Sequence, residues 1–158
     1  MYGKNEGVCT MRIAIASDHG GIRLKDELIE VIKDLGFTYE DFGCKCEGSV
    51  DYPDYALPVA EKVAQGDFDR GILVCGTGIG MSIAANKVKG IRCALVHDVF
   101  SAKATRQHND TNMIAMGERV IGPGLAGEIV RTWLGEEFEG GRHTNRIDKI
   151  TSYEDTHR

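Results

Sequence analysis

The residues best equipped for chemistry lie between Arg70 and Lys87, RGILVCGTGIGMSIAANK. An apolar run from Gly71 to Val74 reads as a buried strand ending at Cys75, and Gly76, Gly78 and Gly80 then open a helix that starts at Ile79 or Gly80. Glycine lets a backbone approach a ligand closely and take angles closed to other residues, so consecutive N–H groups can converge on an anion. The positive end of the helix adds to the same spot. Such a loop can cradle an oxyanion or a phosphate, and here a thiol stands at its lip. In general, a thiol that faces a helix N-terminus ionises more readily than a free one. Each part also has a purely structural use, since cysteine packs well in cores and glycine turns reverse chains. The stretch does not match a dinucleotide fingerprint, because Met81 or Ile83 stands where its third glycine belongs. Asp98, after the next strand, keeps a ribose-binding acid and so a nucleotide reading open.

Three further groups carry chemical potential. Asp18-His19-Gly20-Gly21 follows the β-rich run Arg12 to Ser17 and sets a carboxylate and an imidazole at the end of a strand. Asp18 serves equally well as a helix N-cap, and His19 as a solvated loop residue. Tyr52 and Tyr55 flank a loop, where they either line a pocket or pack. Arg142 and Arg146 are spaced i, i+4, so a helical turn brings both guanidinium groups to one face, where they can clamp a phosphate. A solvated basic surface is the alternative.

These residues need elements to position them. Ile22, Leu24, Leu28, Ile29, Ile32 and Leu35 recur at helical spacing up to Gly36, and Phe37 to Gly43 reads as a second strand. A loop leads to a helix ending near Gln65, and Pro58 inside its pattern implies either a later start than Pro53 or a kink. After the central strand and helix, Ile91 to Val96 is a strand, Asp98 to Gln107 a helix and Met113 to Met116 a strand. A helix opened by Pro123 and an amphipathic helix through Ile147, Ile150 and Tyr153 follow. Strands alternate with helices five times, which predicts a three-layer α/β sandwich on a parallel five-stranded sheet with right-handed crossovers. Ligands of such sheets bind beyond the C-terminal strand ends, where Asp18, His19 and the Cys75 loop converge. His108 and Asn109 end a helix and so fall at the opposite edge. There they are structural or serve the site of a neighbouring subunit.

Composition narrows the class. The 158 residues suit one domain, expected over 11–158, while 1–10 read as a disordered or vector-derived extension. A net charge of −5 argues against a nucleic-acid surface, and no apolar run is long enough to span a bilayer. Five irregularly spaced cysteines fit free thiols in a reducing cytoplasm. Cys44 and Cys46 form a C-x-C that lacks the second cluster of a metal site.

With DHGG at Asp18, DYPDYA at Asp51, CGTGIGMSIAANK at Cys75, RQHNDTN at Arg106 and GGRHTNR at Gly140, the chain resembles one family over about Met11 to Tyr153. It is the sugar-phosphate isomerase family of ribose-5-phosphate isomerase B and the galactose-6-phosphate isomerase subunits. The resemblance implies a Rossmann-like homodimer, or a dimer of dimers, with active sites shared between subunits. The implied reaction is the interconversion of ribose 5-phosphate and ribulose 5-phosphate in pentose phosphate metabolism, with no cofactor or metal. It further implies that Cys75 moves a proton between C1 and C2, and that Thr77 and the N–H groups of Gly76, Thr77, Gly78, Ile79 and Gly80 stabilise the enediolate. His108 would open the sugar ring and Asp18 shuttle a hydroxyl proton. Asn109, Arg119, His19, Tyr52, Arg142 and Arg146 would bind sugar or phosphate. Six-carbon sugar phosphates, a binding regulator without turnover and a thiol redox protein are the competing readings. The last lacks a C-x-x-C partner for Cys75.

Overall fold

The computed structural model describes residues 10–158, so residues 1–9 of the expected extension lie outside the described part. The chain runs β1 (Arg12–Ser17), α1 (Ile22–Asp34), β2 (Thr38–Asp41), α2 (Pro53–Ala64), β3 (Arg70–Cys75) and α3 (Ile79–Ala85). It continues through β4 (Cys93–Leu95), α4 (Val99–Asn109), β5 (Met113–Gly117), α5 (Pro123–Gly135) and α6 (Arg142–His157). The strands form one sheet in the order β2-β1-β3-β5-β4, every pair parallel. The expected three-layer α/β sandwich is therefore present.

Alternation along the central strands produces the layers. Successive side chains of a strand point to opposite faces. Ile13, Ile15, Ile72, Val74, Ile114 and Met116 face one way and pack with α1 and α5 through Leu28, Ile32, Ile129 and Trp133. Ala14, Ala16, Leu73, Cys75, Met113 and Ala115 face the other way and meet α2 and α3 through Val59, Ala60 and Met81. Cys75 thus belongs to the core at its base, while its strand ends at the C-terminal edge of the sheet.

Several boundaries differ from those read in the sequence. β2 is shorter than expected and largely exposed, as an edge strand can be. α2 starts at Pro53 and continues through Pro58, whose missing N–H removes only the bond to the Asp54 carbonyl. Asp98 is the N-cap of α4 and accepts a 2.6 Å hydrogen bond from the Ser101 N–H, which leaves the ribose-binding reading without its acid. Asp98→Ala is expected to cost about 1 kcal/mol, read as a fall of about 2–4 °C in thermal midpoint. In α6, Ile150 and Tyr153 remain exposed and His143 is the buried residue, so the helix does not bury the face its pattern suggested.

The connection after β2 is tied down next to the site. Lys25 is fully buried and donates from Nζ to both carboxylate oxygens of Asp41 at 2.8 Å. Asp41 also accepts from the Gly43 N–H, and Gly43 and Cys44 exchange backbone hydrogen bonds with Ser17, the last residue of β1. A buried ammonium needs such a partner, so this pair locks the loop beside Asp18. Within the loop the sulfurs of Cys44 and Cys46 lie against one another, their Cα atoms 5.4 Å apart. Cys75 and Cys93 are free and buried, as expected of thiols in this chain.

Candidate functional site

The Cys75 loop is shaped by its glycines. Gly78 has φ of +77°, and a Cβ there would lie 2.7 Å from the backbone of Met116, so this position needs glycine for both conformation and space. The turn points the Gly78 N–H at the Cys75 sulfur, which accepts it at 3.0 Å. The Ile79 N–H donates to Thr77 Oγ1 at 3.3 Å. Two of the five N–H groups expected to face an oxyanion are therefore engaged within the loop. Those of Gly76 and Thr77 have no acceptor among the described residues. Cys75 is 5% exposed, whereas Thr77, two residues further on, is exposed.

The neighbouring strand ends bring the other groups to this loop. Asp18 is buried, its backbone N–H bonded to the Val74 carbonyl and its Oδ1 accepting from the Gly20 N–H at 2.8 Å. A Cβ on Gly20 would lie 3.1 Å from the Gly76 nitrogen, so the two loops touch. His19 is exposed and accepts from the Val50 N–H through Nδ1, which leaves Nε2 to carry the proton of the neutral ring. Arg119 lies over Gly76, with Nη1 3.3 Å from where a Cβ would stand, and the Tyr52 ring packs against Gly80 in the first turn of α3. A cleft of about 550 Å³ opens here, lined by His19, Gly20, Ile22, Arg23, Glu118 and Arg119.

The remaining predicted residues gather elsewhere. β3 and β5 run in register from Gly71 with Met113 to Cys75 with Gly117, and α4 ends just before Met113. His108 and Asn109 therefore stand at the N-terminal edge of the sheet, opposite Cys75. The segment before α6 folds back onto them through a hydrogen bond from the Glu139 N–H to the Gln107 carbonyl. The His108 and His143 rings stack with centroids 4.3 Å apart and planes 14° from parallel. Glu139 Oε2 lies 4.0 Å from Nε2 of His108 and 3.7 Å from Nε2 of His143. These three groups are spaced closely enough for a metal, but parallel rings send their lone pairs side by side rather than to one point. Burial, reinforced by the neighbouring His108, Arg142 and Arg146 and opposed by Glu139, holds His143 below the usual histidine range. Arg142 and Arg146 are exposed beside it, one helical turn apart. A hollow of about 690 Å³ near Asn109, Arg92 and Tyr153 also lies on this side, away from the thiol.

Sequence reasoning missed His97, Glu139 and His143. His97 accepts the Gly117 N–H through Nε2 at 3.0 Å, and burial lowers its pKa against the pull of Asp98. No motif marked it.

Fold and site together define a class: an open parallel α/β protein with a thiol in a glycine loop at one sheet edge and an imidazole–arginine cluster at the other. The sequence model of the Ribose/Galactose Isomerase family matches residues 13–150, and the chain belongs to that family. It is 68% identical over 146 residues to a Bacillus subtilis (strain 168) protein named provisionally as a sugar phosphate isomerase, covering 92% of this chain and 98% of that one. It is 48% identical to ribose-5-phosphate isomerase B of Escherichia coli (strain K12), covering 90% and 96%. It is also 46% identical to D-erythrulose-4-phosphate isomerase of Pectobacterium atrosepticum, covering 91% and 95%. Among solved structures, ribose-5-phosphate isomerase B of Clostridium thermocellum superposes with a TM-score of 0.91 at 52% identity, over 94% of this chain and all of that one. The Mycoplasma genitalium enzyme with bound ribulose-5-phosphate gives 0.87 at 44% identity, over 91% and 96%.

Proposed function

We propose that this protein is an aldose–ketose isomerase interconverting D-ribose 5-phosphate and D-ribulose 5-phosphate through an enediolate. The observation that carries the reading is the Cys75 thiol under the Gly78 N–H, beside Thr77 and unengaged loop N–H groups. Moving a carbonyl from C1 to C2 means taking the C2 proton from a weak carbon acid while charge develops on the C1 oxygen. Cys75 as thiolate takes that proton and returns it to C1, while Thr77 and the N–H groups of Gly76 and Thr77 meet the charge. Asp18 passes the hydroxyl proton between the two oxygens. The reaction balances without a co-reactant.

Support for a shared site comes from the two separated clusters. His108 opens the sugar ring, and Asn109, Arg142 and Arg146 hold the substrate's remote end, only if a second copy presents its N-terminal edge to the Cys75 cleft. The functional unit is accordingly a homodimer in which His19, Tyr52 and Arg119 come from one subunit and the His108 cluster from the other. A thiol base needs a reducing compartment, which favours the cytoplasm. Phosphate binding far from the reacting carbons fixes their orientation. Replacing Arg142 or Arg146 with glutamine is therefore expected to raise KM about 10- to 100-fold, the loss of a charge-assisted hydrogen bond. An unchanged KM would return both to the solvated surface.

A second reading is the same chemistry on a sugar of different length. The near-equal identities to relatives named for five- and four-carbon substrates favour keeping it. Proton NMR in D₂O decides between them, with ribose 5-phosphate, D-erythrulose 4-phosphate, allose 6-phosphate and galactose 6-phosphate offered in turn. Ribulose 5-phosphate forming fastest, with deuterium entering the sugar, is the expected result. Faster turnover of another substrate would move the assignment, and silence with all four would favour a sugar-phosphate-binding protein without turnover.

A further inference from the structure

β4 is only three residues long, and its ladder with β5 ends where Leu95 faces Ala115, with a last bond from the Val96 N–H to the Ala115 carbonyl. The chain then leaves the sheet, because Asp98 caps α4. Gly117 is buried and two residues further along β5, so its N–H has lost the strand that would have supplied a carbonyl. A buried N–H needs an acceptor. The His97 imidazole takes the carbonyl's place, with Nε2 3.0 Å from the Gly117 nitrogen.

What Gly117 supports is the thiol loop itself. A Cβ on Gly117 would stand 2.6 Å from Thr77 Cα and 2.7 Å from the Gly76 oxygen, so the two backbones are in direct contact. The next two residues donate onward, Glu118 N–H to the Cys75 carbonyl at 2.9 Å and Arg119 N–H to the Gly76 carbonyl at 3.1 Å. We propose that His97 is a positioning residue for isomerisation: by accepting the Gly117 N–H it holds the end of β5 against the loop that carries Cys75 and Thr77. The catalytic part of this inference rests on the function proposed above.

An acid limb follows. Imidazolium has no acceptor nitrogen, so protonation replaces the Gly117 contact with two facing donors. Burial lowers the His97 pKa below the usual histidine value and Asp98 opposes that shift. Asp98 is itself held below the ordinary carboxylate range by the Ser101 N–H. From β5, the ring's partner Gly117 is uncharged, and Asp98 is the charge that acts on the ring. Because the folded pKa is depressed, the contribution is complete above the ordinary histidine pKa of about 6.5 and is lost as pH falls through the lower folded value.

The test uses His97→Gln, whose amide oxygen accepts but does not titrate, and His97→Phe, which keeps a ring without an acceptor. With ribose 5-phosphate, the phenylalanine variant is expected to lose about 10- to 100-fold in kcat at neutral pH with KM little changed, the scale of a misplaced reacting group. The glutamine variant is expected to recover most of kcat and to lose the acid-side transition assigned to His97. ¹⁵N NMR reads the contact without relying on turnover. In the wild type the Gly117 amide should shift with the His97 titration, and the Gly78 amide should move with it. Both responses should vanish in His97→Gln. A Gly117 amide indifferent to pH, or a phenylalanine variant with wild-type kcat, would overturn the proposal. Amide responses as expected in a protein that turns over no sugar phosphate would uphold the contact and overturn the reading of the reaction instead.

Discussion

Cys75→Ala is expected to lower kcat for ribose 5-phosphate by about 10³-fold or more, and to stop deuterium entering the sugar from D₂O. Cys75 is the base on the proposed reading, and its sulfur carries the Gly78 N–H. The truncation removes one sulfur from a site that is almost closed to solvent, so circular dichroism should report an unchanged fold. Cys75→Ser would keep an acceptor for Gly78 but supply a far weaker acid, and should be nearly as inactive. The same variant tests the shared site. In a dimer whose two sites each take Cys75 from one chain and His108 from the other, a hybrid of Cys75→Ala with His108→Ala holds one intact site and one doubly defective site. Equal mixing makes half the dimers hybrids, so two inactive proteins should together recover about a quarter of wild-type activity. No recovery after verified subunit exchange would put Cys75 and His108 in separate roles.

Gly78→Ala should be among the most damaging single methyl groups at the described glycines. The left-handed backbone at φ of +77° costs an L-residue about 1–2 kcal/mol, and a Cβ 2.7 Å from the Met116 carbonyl carbon adds an overpacking cost of about 1–3 kcal/mol. The sum predicts a fall in thermal midpoint of roughly 5–15 °C for a domain of this size. If the loop moves to relieve the clash, the Gly78 N–H leaves the sulfur and kcat falls as well. Gly124→Ala is the control: that glycine sits in the first turn of α5 at negative φ with nothing within 4 Å of its would-be Cβ. It should be neutral or slightly stabilising. Equal effects at the two positions would mean that Gly78 is a turn residue like any other.

The central strands were legible because each is a short, nearly continuous apolar run, buried on both faces, that ends at a glycine turn or cap. The edge strands were not, since β2 is exposed and β4 is cut short by the cap of α4. The Cys75 loop was legible as an anion cradle, but not the diversion of the Gly78 N–H to sulfur or of the Ile79 N–H to Thr77. Those depend on angles that the glycines permit without dictating. His108 could be assigned to the far edge from topology alone. Its stacking on His143, 35 residues later, could not, because it requires the segment through Glu139 to fold back onto Gln107. His97 escaped notice for a different reason. Its partner is a backbone N–H orphaned by the length of another strand, and no spacing of side chains records that.

With the thiol at one edge of the sheet and the imidazole cluster at the other, turnover on the proposed reading becomes a property of concentration. Diluted below the dissociation constant of the pair, each chain would keep its fold and both halves of its chemistry, yet complete no reaction. Specific activity would then fall on dilution while the spectroscopic signature of folding stayed constant, and substrate, which bridges the two chains, would draw them back together.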